Sequence, residues 1–196
     1  ERIIRVIRTL QPGILIFNMW DPDTRWIGNE EGIAPIRNYN EVEALDFSVR
    51  TGKKDLLENR RFLPAECDIR MRRDTWFASE QDQDTVKTLD QLMGIYDYTV
   101  GRGSNLLLNI GPDASGQLPE EDATRLLEFG RALRERFHNP LLILESPLLD
   151  AEKEELIIDL PEETTVNCIM LSEHLEEGES IHGFQIYSQP VPAGRR

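Results

Sequence analysis

Along the first 140 positions, apolar residues come in short bursts that alternate between two periods. Ile3, Ile4 and Ile7, followed by Leu10, recur at helical spacing, which predicts a helix already in progress at the first residue. After Gln11-Pro12-Gly13, the run Ile14-Leu-Ile-Phe-Asn18 is short and mostly apolar, the pattern of a fully buried strand in a parallel sheet. A polar loop rich in aromatic and acidic residues then extends from Met19 to about Asn40. Residues 41–60 are charged and fit a short helix or an extended loop equally well. A second strand is predicted over 65–71. A helix is predicted over about 84–99, because Val86, Leu89, Leu92, Met93 and Tyr96 fall on one face. Asp82 or Asp84 would cap its start and Gly101 and Gly103 would end it. Asn105-Leu-Leu-Leu-Asn109-Ile110 is again too apolar for a one-sided strand. The last predicted helix covers about 119–137, opening with Pro119, Glu120, Glu121 and Asp122 and closing with Arg134 and Arg136. Both ends match the helix dipole.

Buried strand, polar loop and amphipathic helix in repetition imply a βα series with parallel strands. An open doubly wound sheet and part of an eightfold barrel both satisfy that pattern. The character changes after Phe137, where Pro140 and Pro147 punctuate the chain and no helical period returns. Three strand-like runs follow, Glu155–Leu160, Val166–Leu171 and Ile181–Tyr187, separated by acidic turns. They read as the opening of an antiparallel β-sandwich, with too few strands to close two sheets. The expected class is therefore α/β plus β, with residues 1–138 in the βα part and 139–196 in a truncated sandwich. A start inside a helix without a cap predicts that a preceding part of the protein is missing.

Composition narrows the function classes. The chain has 196 residues, 39% of them hydrophobic, enough for a folded core. Its 36 acidic residues outweigh 22 Lys and Arg, for a formal net charge of −14. Such a surface repels phosphate backbones and argues against a nucleic-acid partner. No apolar run approaches the roughly 18 residues that span a bilayer, so no membrane partner is expected. Cys67 and Cys168 stand about a hundred residues apart and form neither a metal spacing nor a disulfide framework. The scattered His138, His174 and His182 assemble no nucleophilic triad and no metal site, and no cofactor is expected.

Three stretches could carry chemistry. Pro22-Asp23-Thr24-Arg25-Trp26-Ile27-Gly28-Asn29-Glu30 lies just past a predicted buried strand, where βα proteins build active sites. Glycoside hydrolysis needs two carboxyl groups, one of them protonated. A Glu near a Trp in a partly closed loop suits that task, and a nearby Arg could hold sugar hydroxyls. A surface packing cluster is the plainer alternative. The second stretch, Pro64-Ala-Glu66-Cys-Asp68-Ile-Arg70 with Thr75-Trp76-Phe77, offers Trp76 as a platform for the apolar face of a sugar or as a core aromatic. Arg72-Arg73 reads as a solvated face or as a partner of the many acids. In the third, Gly101-Arg-Gly103 follows a helix and precedes a strand, the reverse of a phosphate loop. Asn109 and Asp113 could support a pocket floor, although Gly111-Pro112-Asp113 also reads as a turn.

These motifs, with Leu89-Asp-Gln-Leu-Met-Gly-Ile-Tyr96, Asn105-Leu-Leu-Leu-Asn109-Ile-Gly-Pro-Asp113 and Leu126-Leu-Glu-Phe-Gly130, resemble glycoside hydrolase family 29, the α-L-fucosidases, in order and over nearly the whole chain. The resemblance implies a TIM-like βα barrel followed by a β-sandwich, and a retaining mechanism with an Asp nucleophile and a Glu acid/base. The Gly-Asn-Glu loop maps the acid/base onto Glu30, with Glu31 beside it. Trp76 corresponds to a Trp lining the fucose pocket, and Arg25 to an Arg near the bound sugar. Asp23, Trp26 and Glu66 join them as substrate-binding candidates. The family's nucleophile belongs to a strand before Glu1, so the expected partners are the missing N-terminal half and a fucosylated oligosaccharide or glycoconjugate. A secreted, periplasmic or lysosomal-type compartment is what the family implies. The segment before Trp76 departs from the family, reading Arg73-Asp74-Thr75 where many relatives carry Pro-Gly. A non-catalytic sugar-binding protein on the same scaffold is the alternative function.

Overall fold

The computed structural model describes residues 2–18, 21–48, 52–145, 155–160, 162–173, 175, 178, 179, 181 and 183–188. Its centre is a parallel sheet of three strands, β1 (Arg25–Trp26), β4 (Ala65–Arg70) and β5 (Asn105–Asn109), in the order β1-β4-β5. Between β1 and β4 the chain forms an antiparallel hairpin, β2 (Glu41–Ser48) with β3 (Lys53–Phe62). Among the described residues, three α-helices and two short 3₁₀ turns (Glu80–Thr85 and Val100–Arg102) complete the elements: α1 (Arg2–Leu10), α2 (Leu89–Thr99) between β4 and β5, and α3 (Glu120–Phe137) after β5.

β4 is the pivot. Its register sets Trp26 beside Glu66 on one edge and Glu66 to Arg70 beside Asn105 to Asn109 on the other. Ala65, Cys67 and Ile69 are buried on one face, while Glu66, Asp68 and Arg70 alternate onto the other. On the buried face, Met71, Leu92 and Phe129 form a core cluster joined by Val86, Leu89, Met93, Tyr96, Leu106, Leu108 and Ile110. The helical face expected around α2 is thus the face that packs, with Tyr96 edge-on to Phe129 at 6.3 Å between ring centroids. Burial raises the Cys67 thiol above its ordinary pKa, so this cysteine is an inert packing group. The opposite face is polar at both ends and open, with Leu107 still 49% exposed.

Several boundaries differ from the sequence reading. Residues 14–18 form no full strand: a single parallel bridge joins Phe17 to Thr24, and only Ile16 and Asn18 are buried in the run. The charged stretch 41–60, read as a short helix or an extended loop, is largely the β2–β3 hairpin, held by cross-strand pairing and by Leu45, 3% exposed, on β2. Asn40 fixes its base, accepting from Leu63 N through its carbonyl and from Ala65 N through its side chain. Helix α2 starts at Leu89, not at 84, and neither Asp82 nor Asp84 caps it. Thr88 Oγ1 accepts from Gln91 N while Gln91 Oε1 accepts from Thr88 N, a reciprocal capping box.

The three strand-like runs after residue 155 contain no strand among their described residues. Their apolar side chains, among them Ile157, Met170, Phe184 and Tyr187, are exposed. Strands of a sandwich exist only as paired ladders packed on a second sheet, and among the described residues these runs show no such ladder. The Glu179 carboxylate ties this segment back, accepting from Asn40 N at 2.8 Å and from Glu41 N at 3.2 Å.

The acids opening α3 do more than complement a dipole. Asp122, 1% exposed, receives Arg72 through Nε at 3.1 Å and through Nη2, and ties α3 to the end of β4. Removing one partner of a buried pair strands the other charge. Asp122→Ala is expected to cost about 3–5 kcal/mol in urea unfolding. Asp97→Ala, which breaks the exposed pair with Arg136, should cost less than about 1 kcal/mol.

Candidate active site

The loop after β1 is shaped by its own small groups. Ile27 N continues the ladder by donating to Glu66 O at 3.0 Å. Asn29 then turns the chain, accepting from Glu31 N and donating to Ile33 O, both at 3.0 Å. Gly32 has φ +68, and a Cβ there would sit 3.1 Å from both Ile69 and Ile95 side chains. This combination of a left-handed backbone and a close approach requires glycine. Glu30 rides on the crest of the loop, exposed.

Trp76 comes to it from the loop after β4. Its indole Nε1 donates to Glu30 Oε2 at 3.2 Å, joining positions 46 residues apart. The Arg70 guanidinium lies 5.3 Å from the Trp76 ring centroid and donates through Nη1 to Asp74 O at 3.2 Å. A cation over an indole face is favourable and restrains the ring. Glu30 and Trp76, both candidates from the sequence, are therefore one unit at the C-terminal ends of neighbouring parallel strands, where βα folds place chemistry.

Two further features fix the Trp76 loop. Asp82, fully buried, accepts from Asp74 N at 3.1 Å, from Thr75 N and Oγ1 at 2.9 Å each, and from Thr85 Oγ1. Burial alone would raise its pKa, but these donors outweigh it and hold the carboxyl at about 2. On the other side, Gly111 abuts the same loop: a Cβ there would meet Ala78 N at 2.8 Å and Phe77 C at 2.9 Å. Lys87 Nζ closes the end of β4 by donating to Arg70 O at 2.6 Å and Arg72 O at 3.2 Å.

The remaining sequence candidates divide by face. Trp26 and Glu66 lie on the open face: Trp26 Nε1 donates to Asp68 Oδ1 at 2.5 Å, and Glu66 Oε2 accepts from Asn105 Nδ2 at 2.9 Å. Arg25, by contrast, is aligned with Ala65 and is 3% exposed. Its guanidinium donates to Asn38 Oδ1 at 2.6 Å and Tyr39 O at 2.9 Å, which holds the loop leading to the hairpin. Asp23 accepts from Ile16 N at 2.7 Å and from Arg8 at 2.6 Å. The Ile16 N–H, and after it Arg8, hold its carboxyl below the ordinary range against opposing burial. Neither Arg25 nor Asp23 is brought to Glu30 and Trp76. Asp113 closes a turn, accepting from Ser115 N and Gln117 N. Asp68, Asp82 and Gly111 were not singled out as site groups from the sequence. A carboxylate among Ser79, Thr85 and successive short polar residues was the available signal for Asp82, and it reads equally as a helix cap.

A sequence model of the alpha-L-fucosidase family matches residues 16–136, which hold β1, β4, β5, Glu30 and Trp76. The chain belongs to the alpha-L-fucosidase family. It is similar to Alpha-L-fucosidase 1 of Arabidopsis thaliana, 34% identical over 142 residues that cover 69% of this chain and 27% of that protein. Among solved structures it resembles a glycoside hydrolase 29 family member from an unknown rumen bacterium, at 30% identity and TM-score 0.61, covering 71% of this chain and 26% of the other. A protein from Bacteroides thetaiotaomicron VPI-5482 superposes with TM-score 0.62 at 28% identity, over 70% of this chain and 35% of that one. The chain thus shares part of the glycoside hydrolase 29 fold and spans about a quarter to a third of the length of these relatives.

The Asp82 assignment has an acid-stability consequence. A carboxyl near 2 when folded and 3.8 when unfolded stabilises the fold fully above pH 3.8 and loses that contribution as pH falls towards 2. Asp82→Asn is expected to flatten this part of the acid-unfolding profile, by on the order of 1–2 kcal/mol. Thermal melts of both proteins between pH 2 and 5 provide the measurement, and an unchanged profile would show that Asp82 is not held ionised.

Proposed function

We propose that this chain is part of a retaining exo-acting α-L-fucosidase that hydrolyses terminal α-L-fucosyl linkages of oligosaccharides or glycoconjugates. Glu30 is its general acid/base. The hydrogen bond from Trp76 Nε1 to Glu30 Oε2 carries the reading, because it joins a sugar platform to a proton donor on one rim. In the first step, Glu30 protonates the glycosidic oxygen as the bond to the anomeric carbon breaks, while an Asp from outside residues 1–196 attacks that carbon. The Glu30 carboxylate then takes a proton from the water that displaces the Asp. Two carboxyls about 5–5.5 Å apart support this double displacement. The Trp76 ring offers an apolar face to the C6 methyl of fucose. The complete barrel and the sandwich belong to this reading.

Exposure adds a condition. Glu30 is open to solvent among the described residues, yet an acid that works near neutral pH is normally part-desolvated. The proposed enzyme completes that enclosure with the rest of its barrel. The 196-residue chain by itself is therefore expected to turn over no aryl fucoside. Turnover by the purified chain would show that its own residues supply the nucleophile.

In the full-length enzyme, Glu30→Gln should slow substrates with poor leaving groups by about 10²–10⁴, the usual worth of general acid catalysis. An activated aryl fucoside should suffer much less in its first step. Its glycosyl-enzyme should accumulate, and azide should restore turnover with formation of the α-fucosyl azide. Glu31→Gln is the control and should stay near the parent rate. The same leaving-group dependence and azide rescue in Glu31→Gln alone would move the assignment by one residue. Trp76→Ala should weaken fucose binding by roughly 1–3 kcal/mol, read by inhibitor titration.

A further inference from the structure

We infer that Asp82 is a positioning residue for the Glu30–Trp76 pair: its buried carboxylate sets the loop that aims the indole N–H at Glu30. The inference rests on the acid/base reading of Glu30 and goes beyond it, because Asp82 touches neither Glu30 nor the proposed sugar platform. Its carboxylate instead collects the backbone N–H groups of Asp74 and Thr75, the two residues immediately before Trp76, together with the hydroxyls of Thr75 and Thr85. A carboxylate with several converging donors is a rigid hub, since each donor loses its partner if the loop moves.

The neighbouring contacts remove the other freedoms of the loop. Arg70 restrains the ring from one side and holds Asp74 O. Arg72 donates to the carbonyls of Asp82 and Gln83, anchoring the hub itself. Gly111 leaves no room for the segment after Trp76 to fall back. The indole N–H therefore keeps its aim on Glu30 Oε2 even though both side chains stand at an open rim. Looseness in such supporting residues is transmitted to the reacting group, where displacements near 1 Å matter.

The test uses the full-length enzyme and two substrates, an activated aryl fucoside and a fucosyl disaccharide. Asp82→Ala is expected to lower kcat/KM for the disaccharide about tenfold more than for the aryl fucoside, the leaving-group signature of a misplaced acid. Thr75→Val removes the hydroxyl, whose one proton is shared between Asp82 Oδ2 and Phe77 O, and keeps the carboxylate buried. It should show the same selectivity at about two- to threefold and serves if Asp82→Ala does not fold. Leu92→Ala loosens the core beneath α2 and should lower Tm without changing the ratio of the two substrates. Equal losses on both substrates in Asp82→Ala and Thr75→Val, as for Leu92→Ala, would reduce Asp82 to a stability role. Glu30→Gln measured alongside separates the two claims. If it shows no leaving-group dependence, the acid/base reading falls. If it does while the Asp82 and Thr75 variants are unselective, only the positioning role falls.

Discussion

Strand β4 has to satisfy two parallel neighbours at once, and that double pairing divides its surroundings into two sides. Parallel ladders leave no edge free on a central strand, so every second residue must face one layer or the other. Ala65, Cys67 and Ile69 face the buried layer, and Glu66, Asp68 and Arg70 face the open one. The same alternation carries to β1 through its register, sending Arg25 inward and Trp26 outward. A one-residue slip would exchange those roles and bury three charged groups of β4 without partners. The loops that present Glu30 and Trp76 inherit their positions from this register.

What the sequence made legible follows from the same physics. β5 was readable from its continuous apolar run Leu106–Leu108, although Leu107 turns out half-exposed, and α3 from the acids and arginines that match its dipole at either end. Strand β3 imposes no period: it holds no buried residue, with Lys53, Lys54, Glu58 and Arg60 exposed, and among the described residues Leu45 alone gives β2 too short a buried signal to read. The start of α2 was misplaced because Asp82, a good cap by residue type, is used on the Trp76 loop, and Thr88 and Gln91 take the cap. Arg25 stood in a motif with Glu30, but adjacency in a strand alternates faces. Two residues of one motif can therefore serve opposite layers. The reverse holds for Glu30 and Trp76, whose meeting depends on strand register and could not be read from their separation in sequence.

Charge shows a related division of labour. The chain carries a net charge of −14, yet the two most deeply buried acids among the described residues, Asp82 and Asp122, are well partnered. Asp122 is matched by a cation, and Asp82 by N–H and O–H dipoles. A buried carboxylate left without such partners would cost several kcal/mol. Both acids bind segments that leave the C-terminal end of β4, and each holds a different part of the rim: Asp122 fixes α3 through Arg72, and Asp82 fixes the approach to Trp76. The excess of surface acid plays no comparable part.

The site also explains why rigidity and openness coexist there. In the proposed mechanism Glu30 reaches both a glycosidic oxygen and, later, a water, so its carboxyl cannot be locked inside a dense core. A single hydrogen bond from an indole that is itself held by a cation, a buried carboxylate and a backbone contact meets both needs. Restraint is placed behind Trp76, where Asp82 and Gly111 sit, and Glu30 keeps access to the open side. Under the proposed function, the chain's own contribution is the aim of the acid, and the open face of β1, β4 and β5 is the side from which a substrate reaches it.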